Sequence, residues 1–526
     1  MRAPSVLLAT LLAFSAGCEG FLEPEVVSFS STENYYQTPA HMERAVVGVY
    51  NRLQATVGSR DYRYMTELRA ENATFQNDVG NDPNMRAIDE LTDNSDQALV
   101  LALWNNVYST IGQANVVLNR IEGVTFTDQV QKDRIIGEAK FMRALSYWLA
   151  VQFWGIGDSY DANAAGVPLV LKETTALSEA YPEGRGTVGE VIAQIIADLE
   201  DAKAKLPVSY AGPNVGRATR GAATFLLGRT YLLARDYPKA LAAFEEIGAQ
   251  PYNYSLRTNY RDVFNPGQKN NSESVFEIQY TVASDGQFLD LVPAMAPRNS
   301  PPGPVAGDPS TVVVYNAVPL GEFMPTQPFV EGYEATDARK TASIGFYCAA
   351  GNAVYVEVNM KIGQQDCIPY FTKWRWPEHM PRAGRDNNNW IMFRYADVLF
   401  SRAEALIRLN RVAEGVGFIN QVRARAGLAP LGPLSQSAAL DALLRERAYE
   451  LVGEGHRWFD LKRFGKAIEI MSAHGAERRA RVPRIAAASG AYRLAENPWR
   501  LLYPIPPRTI ELSGGTVEQN PGWASN

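Results

Sequence analysis

The sequence predicts an all-α fold: a tetratricopeptide-like helical repeat scaffold interrupted by a loop-rich central insertion with a few short strands. Three observations carry this. Apolar residues recur near 3.6-residue spacing through residues 28–250 and 390–475, one helical pair has the spacing of a repeat unit, and the periodicity fades between them. With 526 residues, 46% of them hydrophobic, the chain is long enough to bury a sizeable core without relying on disulfides.

The first element is a leader. Arg2 precedes an apolar run, Leu7 to Phe14, too short to cross a bilayer, and Ser15-Ala16-Gly17-Cys18 supplies small residues and then a cysteine. The expectation is a lipoprotein signal peptide over residues 1–17, with Cys18 as the lipid attachment point; an ordinary secretory leader is the alternative. Two or three acyl chains on that cysteine would suffice for stable membrane anchoring. A net charge of −6 with no basic tract argues against a nucleic-acid partner, because phosphate neutralisation needs clustered Lys and Arg.

Residues 18–250 read as an N-terminal helical region. Ser28 to Tyr50 starts with a Ser/Thr-rich entry and becomes a helix pattern, with Tyr36, Met42, Val46, Val49, Tyr50 and Leu53 near 3.6-residue spacing. Helices follow at Ser95 to Ile121, at Gln129 to Phe153 and at Thr187 to Leu206, the last opened by a Thr187/Glu190 capping box and stopped by Pro207. Leu227-Gly228, Tyr231, Ala240 and Phe244 then match the tetratricopeptide spacing, with Arg235 to Pro238 as the turn. A weaker copy places Ala403, Leu406 and Ile419 similarly, and four units are expected, since a continuous face needs several.

Residues 251–389 change character, with Pro and Gly clustered at Pro297 to Pro309 and short β-type runs at Ser274 to Tyr280, Thr311 to Tyr315 and Ala353 to Val358. Long irregular segments on a rigid scaffold are the usual place for ligand-binding loops. Cys348 and Cys367 are candidates for one local disulfide; two unpaired buried thiols are the alternative. Helices are expected to resume at Trp390, giving a C-terminal helical region over residues 390–526.

Glu446, Glu450 and Glu454 recur every fourth residue, which invites a glycosidase reading. Arg445, Arg447, Arg457 and Arg463 lie close by, however, and guanidinium groups hold carboxylates ionised where a general acid needs a raised pKa. The block therefore reads as a buried ion-pair network. The four histidines, at 41, 379, 456 and 474, lack zinc-protease spacing, and neither a nucleophile elbow nor a P-loop appears, so no catalytic residue, metal or cofactor is assigned.

Taken in order, the motifs resemble the SusD/RagB family of nutrient-uptake outer-membrane lipoproteins. The resemblance rests on Trp104…Tyr108…Ile111…Ala114-Asn115, Gly137 to Ala144, Gly216 to Ala223, Arg394 to Leu399, Ala403-Glu404-Ala405 and Asn420 to Gly427. Its strongest block is Glu446-Arg447…Glu450-Leu451…Glu454-Gly455-His456-Arg457…Asp460 to Arg463, followed by Tyr503 to Pro506 and Gln519 to Trp523. Tyr449, Gly453 and Trp523 depart from the pattern at packing positions.

The resemblance implies a non-catalytic, lipid-anchored protein of the outer-membrane surface that captures an oligosaccharide and delivers it to a SusC-like TonB-dependent barrel. A glycoside-active enzyme and a protein-binding repeat scaffold are the alternatives. Sugar recognition uses flat rings that stack on C–H faces, plus amides, carboxylates and guanidinium groups that pair with hydroxyls. Two regions supply that mixture: Arg69 to Arg86, with Phe75, and the central stretch, with Phe288, Tyr315 and Asn316. The first corresponds in position to a family ligand loop, which adds Asp78, Asn81 and Arg86. Trp104, Trp148 and Trp154 are expected in the core.

Overall fold

The computed structural model describes residues 35–75, 82–181, 184–281, 289, 294–295, 303–305, 308–313, 321–348, 360–376, 387–488 and 490–523. The principal helices are α1 (Pro39–Val57), α2 (Pro83–Glu90), α3 (Ala98–Arg120), α4 (Gln129–Trp154), α5 (Val188–Lys205), α6 (Arg220–Leu233) and α7 (Tyr237–Ile247). In the C-terminal part they are α8 (Tyr395–Arg408), α9 (Val412–Arg425), α10 (Gln436–Leu451), α11 (Arg457–Arg463) and α12 (Ala467–Arg481). The fold is mostly helical, with few short strands.

Each helix from α3 to α9 packs against its successor in the chain, and α1 packs on α3. Two of them are buried on nearly every side over most of their length: every residue from Ile135 to Trp154 except Lys140 is buried in α4, as is all of Gly221 to Leu233 in α6, with Arg143 and Arg229 held inside by Asp198 and Asp397. Trp104, Trp148 and Trp154 are buried in the main core. The Thr187 capping box forms as expected, with the Glu190 carboxylate accepting from Thr187 N at 2.7 Å and Thr187 Oγ1 accepting from Glu190 N at 3.2 Å.

The three-residue turn between α6 and α7 forces them antiparallel, and Gly228 sets how closely they approach. A Cβ at Gly228 would lie 2.5 Å from Phe244 Cε1, so the ring of α7 fills the space that the missing side chain leaves. In the α8/α9 hairpin Gly415 plays the same part, where a Cβ would meet Ile407 Cγ1 at 2.5 Å.

Nine short strands complete the described residues: β1 (Ala73–Thr74), β2 (Ser274–Ile278), β3 (Gly303–Val305), β4 (Asp308–Val313), β5 (Met324–Pro325), β6 (Ile344–Cys348), β7 (Met360–Ile362), β8 (Gln365–Phe371) and β9 (Trp390–Arg394). The expectation that a helix resumes at Trp390 is corrected here. Residues 390–394 form β9, antiparallel to β2, so this ladder joins the start and the end of the central segment, and the helix begins only at Tyr395. The run Trp390-Ile391-Met392-Phe393 is buried throughout, and a short fully apolar run has no period by which helix and strand can be told apart. Among the described residues, the helix that carries the Met42 to Leu53 stripe begins at Pro39, after the Thr38 cap. The Ala353 to Val358 run lies outside the described residues. Strands β6, β8 and β7 form one antiparallel sheet; Cys348 stands directly opposite Cys367, and the two are joined with Cα atoms 4.1 Å apart.

Candidate ligand-binding face

The two regions nominated from sequence meet at the β1/β5 ladder, where Ala73 pairs with Pro325 and Thr74 with Met324. Thr326 extends the junction: its N–H donates to the Asn72 carbonyl at 3.0 Å and its hydroxyl to the Glu71 carbonyl at 2.7 Å. On the central side Phe323 packs against Phe371 of β8, with centroids 5.0 Å apart, and Met324 joins Ile368 and Tyr370 in a small apolar cluster.

Beside this junction lies a polar triad. Arg60 Nη2 donates to Glu322 Oε1 at 2.6 Å, the Tyr64 hydroxyl donates to Glu322 Oε2, and Arg60 Nε donates to the Tyr64 oxygen at 3.1 Å. Tyr64 opens a π-helical turn (Tyr64–Leu68), an irregularity that recurs at functional sites. Its phenol is pushed well above the ordinary value, first by burial and then by the Glu322 charge, so it remains a hydrogen-bond donor. Arg60 keeps 37% of its side chain exposed, which makes it the accessible member of the triad.

Asp89 of α2 pins the β1 end of the Arg69 to Arg86 segment. Its carboxylate accepts from Thr74 Oγ1 at 2.8 Å, from Phe75 N at 3.0 Å and from the Tyr492 hydroxyl at 2.9 Å. Burial raises its pKa to about 6, against the pull of Arg478.

The nominated residues separate. Arg69 is an interior residue and is corrected as a ligand contact: it is fully buried, donates to Asp93 Oδ1 at 2.9 Å and to the Arg500 carbonyl at 2.7 Å, and stacks over Tyr503 at 4.1 Å. Phe75, 4% exposed, packs in the main core and presents no ring to solvent. Arg86 is half-buried on α2. Asp78, Asn81, Phe288, Tyr315, Asn316 and Cys18 lie outside the described residues. Arg60, Tyr64 and Glu322 were not singled out from sequence. The four-residue spacing of Arg60 and Tyr64 is a weak helical signal, and nothing local points to Glu322, 258 residues from Tyr64.

The C-terminal carboxylates form a closed network, but with other cations than the neighbouring arginines. Glu446 accepts from Arg339 at 2.9 Å and from Arg423; Glu450 accepts from Arg394 at 2.6 Å and from Arg425; Glu454 accepts from Lys373 at 2.6 Å and from Arg394 at 2.7 Å. Arg447 instead bonds Asp397 and Asp460, Arg457 bonds Glu71, Arg463 bonds Glu404, and Arg445 is exposed. Burial drives the Glu450 pKa up, but Arg425, Arg394 and Arg339 outweigh it and hold the carboxyl well below the usual range. Helix α10 ends at Leu451, and Glu454 rides on the turn that follows, where Gly453 and Gly455 adopt φ of 74° and 83°. Buried and each bonded to two cations, these carboxylates lack the access to substrate and water that glycoside cleavage requires.

Comparison with known proteins agrees with this architecture. Residues 272–523 match the SusD family model, and residues 21–232 match a model described as "Starch-binding associating with outer membrane". SusD-like protein P25 of Formosa agariphila is 27% identical over 515 residues, covering 90% of this chain and 92% of its own length. Starch-binding protein SusD of Bacteroides thetaiotaomicron is 26% identical over 404 residues, 68% of each chain. Surface glycan-binding protein A from Bacteroides thetaiotaomicron shares the fold at a TM-score of 0.72 and 23% identity, covering 93% of this chain and 100% of that one; a second structure of it, TM-score 0.70, is a complex with laminarihexaose. The chain belongs to the SusD/RagB family.

Proposed function

We propose that this protein is a surface glycan-binding lipoprotein. It is anchored through Cys18 to the outer membrane, captures an oligosaccharide at the face around the β1/β5 junction, and passes it to a SusC-like TonB-dependent barrel. The observation that carries the reading is that the two segments chosen for sugar-binding chemistry are laced together by Ala73–Pro325 and Thr74–Met324. Family membership supports it, since relatives of the same fold carry starch-binding and surface glycan-binding names. Arg60 and Glu322 join Asp78, Asn81, Arg86, Phe288, Tyr315 and Asn316 as proposed contacts.

The test is thermal unfolding of the mature chain with laminari-, malto- and xylo-oligosaccharides. A ligand at a hundred times its Kd adds about 2.7 kcal/mol to stability, enough to read as a clear rise in Tm. Arg60→Ala and Tyr315→Ala should each reduce that rise. A flat response across a broad glycan panel would remove the reading.

A further inference from the structure

We propose that Glu67 and Asp89 are two proton-operated clamps on the strap over residues 67–75, closed while each carboxyl holds a proton and loosened as it ionises. The strap runs from the π-helical turn that carries Tyr64 into β1, so its two ends border the candidate face.

Their partners set these two carboxyls apart. Among the described residues every buried carboxylate carries an ion pair except Glu67, Asp89 and Glu277. Glu67 accepts only from the N–H groups of Gly453 and Gly455, in the turn after α10. Asp89 accepts from the Thr74 hydroxyl, the Phe75 N–H and the Tyr492 hydroxyl. The charges that face them are engaged elsewhere. Lys373, facing Glu67, donates to Glu454 at 2.6 Å; Arg478, facing Asp89 from α12, donates to Thr74 Oγ1 at 3.1 Å; Glu90, beside Asp89 on α2, holds Arg484 at 2.5 Å. Burial keeps Tyr62, Tyr492 and His474, which packs edge-on against Tyr492, uncharged. The middle of the strap is held by ion pairs instead, Arg69 to Asp93 and Arg457 to Glu71, each at 2.9 Å, and by Thr326 on the carbonyls of Glu71 and Asn72. It is a pivot between two ends that rest on neutral donors.

Burial raises Glu67 from 4.5 to about 7 and Asp89 from 3.8 to about 6, whereas an opened strap returns each carboxyl to water and its ordinary value. A protonated carboxyl keeps acceptor capacity, so the closed bonds survive protonation. The closed strap therefore binds the proton more tightly. Opening grows by up to about tenfold per pH unit at each end, between the ordinary value and the raised one.

The test is hydrogen exchange of the full chain at single-amide resolution from pH 4.5 to 8.5, with rates corrected for their intrinsic pH dependence. Done without ligand, it is decided apart from the glycan reading. Protection of Gly453 and Gly455 should fall about tenfold per unit up to about pH 7, and that of Phe75 up to about pH 6, each then levelling, while α6 shows no such steps. Glu67→Gln should flatten the profile at the two glycines alone, and Asp89→Asn at Phe75 alone. The proposal is overturned if these amides follow pH no more than α6 does, or if the dependence survives Glu67→Gln at the glycines or Asp89→Asn at Phe75. Where Asp89→Asn does not fold, Tyr492→Phe takes its place. Losing one donor to the ionised form should move the Phe75 midpoint to higher pH, and an unmoved midpoint overturns the Asp89 clamp.

Discussion

Glu450 and Glu67 are wholly buried carboxylates set against the same turn, and they end in opposite states. Glu450 accepts from Arg394 and Arg425 and lies 3.5 Å from Arg339, so cations overcome its burial and it stays ionised. Glu67 meets neutral donors. The N–H groups of Gly453 and Gly455 donate to it at 3.2 and 2.5 Å, and these only moderate burial, which raises its pKa to about 7. Depth is equal at the two sites, so the partners decide the charge. The first region is a permanently ionised lattice that ties α8, α9, α10 and the central segment together. The second, one turn beyond Tyr64 in the chain, holds a proton near neutrality.

Removing a partner breaks the first half of the comparison most forcefully. Glu450→Ala leaves Arg394 and Arg425 buried with less than their compensating charge, a change that typically costs about 3–5 kcal/mol. The expected result is a large fall in the urea midpoint; a variant as stable as the parent would show that the lattice contributes nothing net.

The two carboxylates also predict opposite pH slopes. Because the Glu450 pKa is depressed, its stabilisation is present above the unfolded value and disappears as pH falls below about 4.5. The Glu67 pKa is raised from 4.5 to about 7, so the folded chain binds a proton that the unfolded chain has released, and stability declines as pH rises through that window. The size is about 3 kcal/mol at 1.36 kcal/mol per unit. Glu67→Gln should flatten the slope between those limits. The slope is the informative quantity, because an amide keeps one of the two accepted bonds and loses the other. An unchanged slope would mean that Glu67 is ionised throughout.

The same contrast explains what could be read from sequence. The helices around α4 and α6, the Gly228/Phe244 close approach and the ion-pair network of the Glu446–Glu450–Glu454 block all follow from periodicity, residue size and the abundance of arginine. The identity of the cations does not. Arg339, Lys373 and Arg394 reach the carboxylates they bond across 56 or more residues of sequence, whereas the adjacent Arg447 turns to Asp397 and Asp460. Arg69 shows the same limit, since an arginine among Asn and Asp reads as surface until Asp93 and Tyr503 enclose it. Composition and the family resemblance nominated the two segments, but the two-residue ladder that joins them has no sequence signal of its own.

Glu322 is a third kind of carboxylate and gives the smallest expected effect on stability. Among the described residues it pairs with Arg60, whose side chain is 37% exposed, and it also accepts from Tyr64. A partly exposed pair is screened by water and contributes about 0–1 kcal/mol. An amide at this position still accepts from one of the two donors. Glu322→Gln should therefore shift the urea midpoint by less than about 1 kcal/mol, far below Glu450→Ala. Its larger effect should fall on oligosaccharide affinity, because the change removes a charge beside Arg60 and alters the accessible edge of the triad. A loss of stability as large as that of Glu450→Ala would place Glu322 with the structural lattice and remove it from the ligand face.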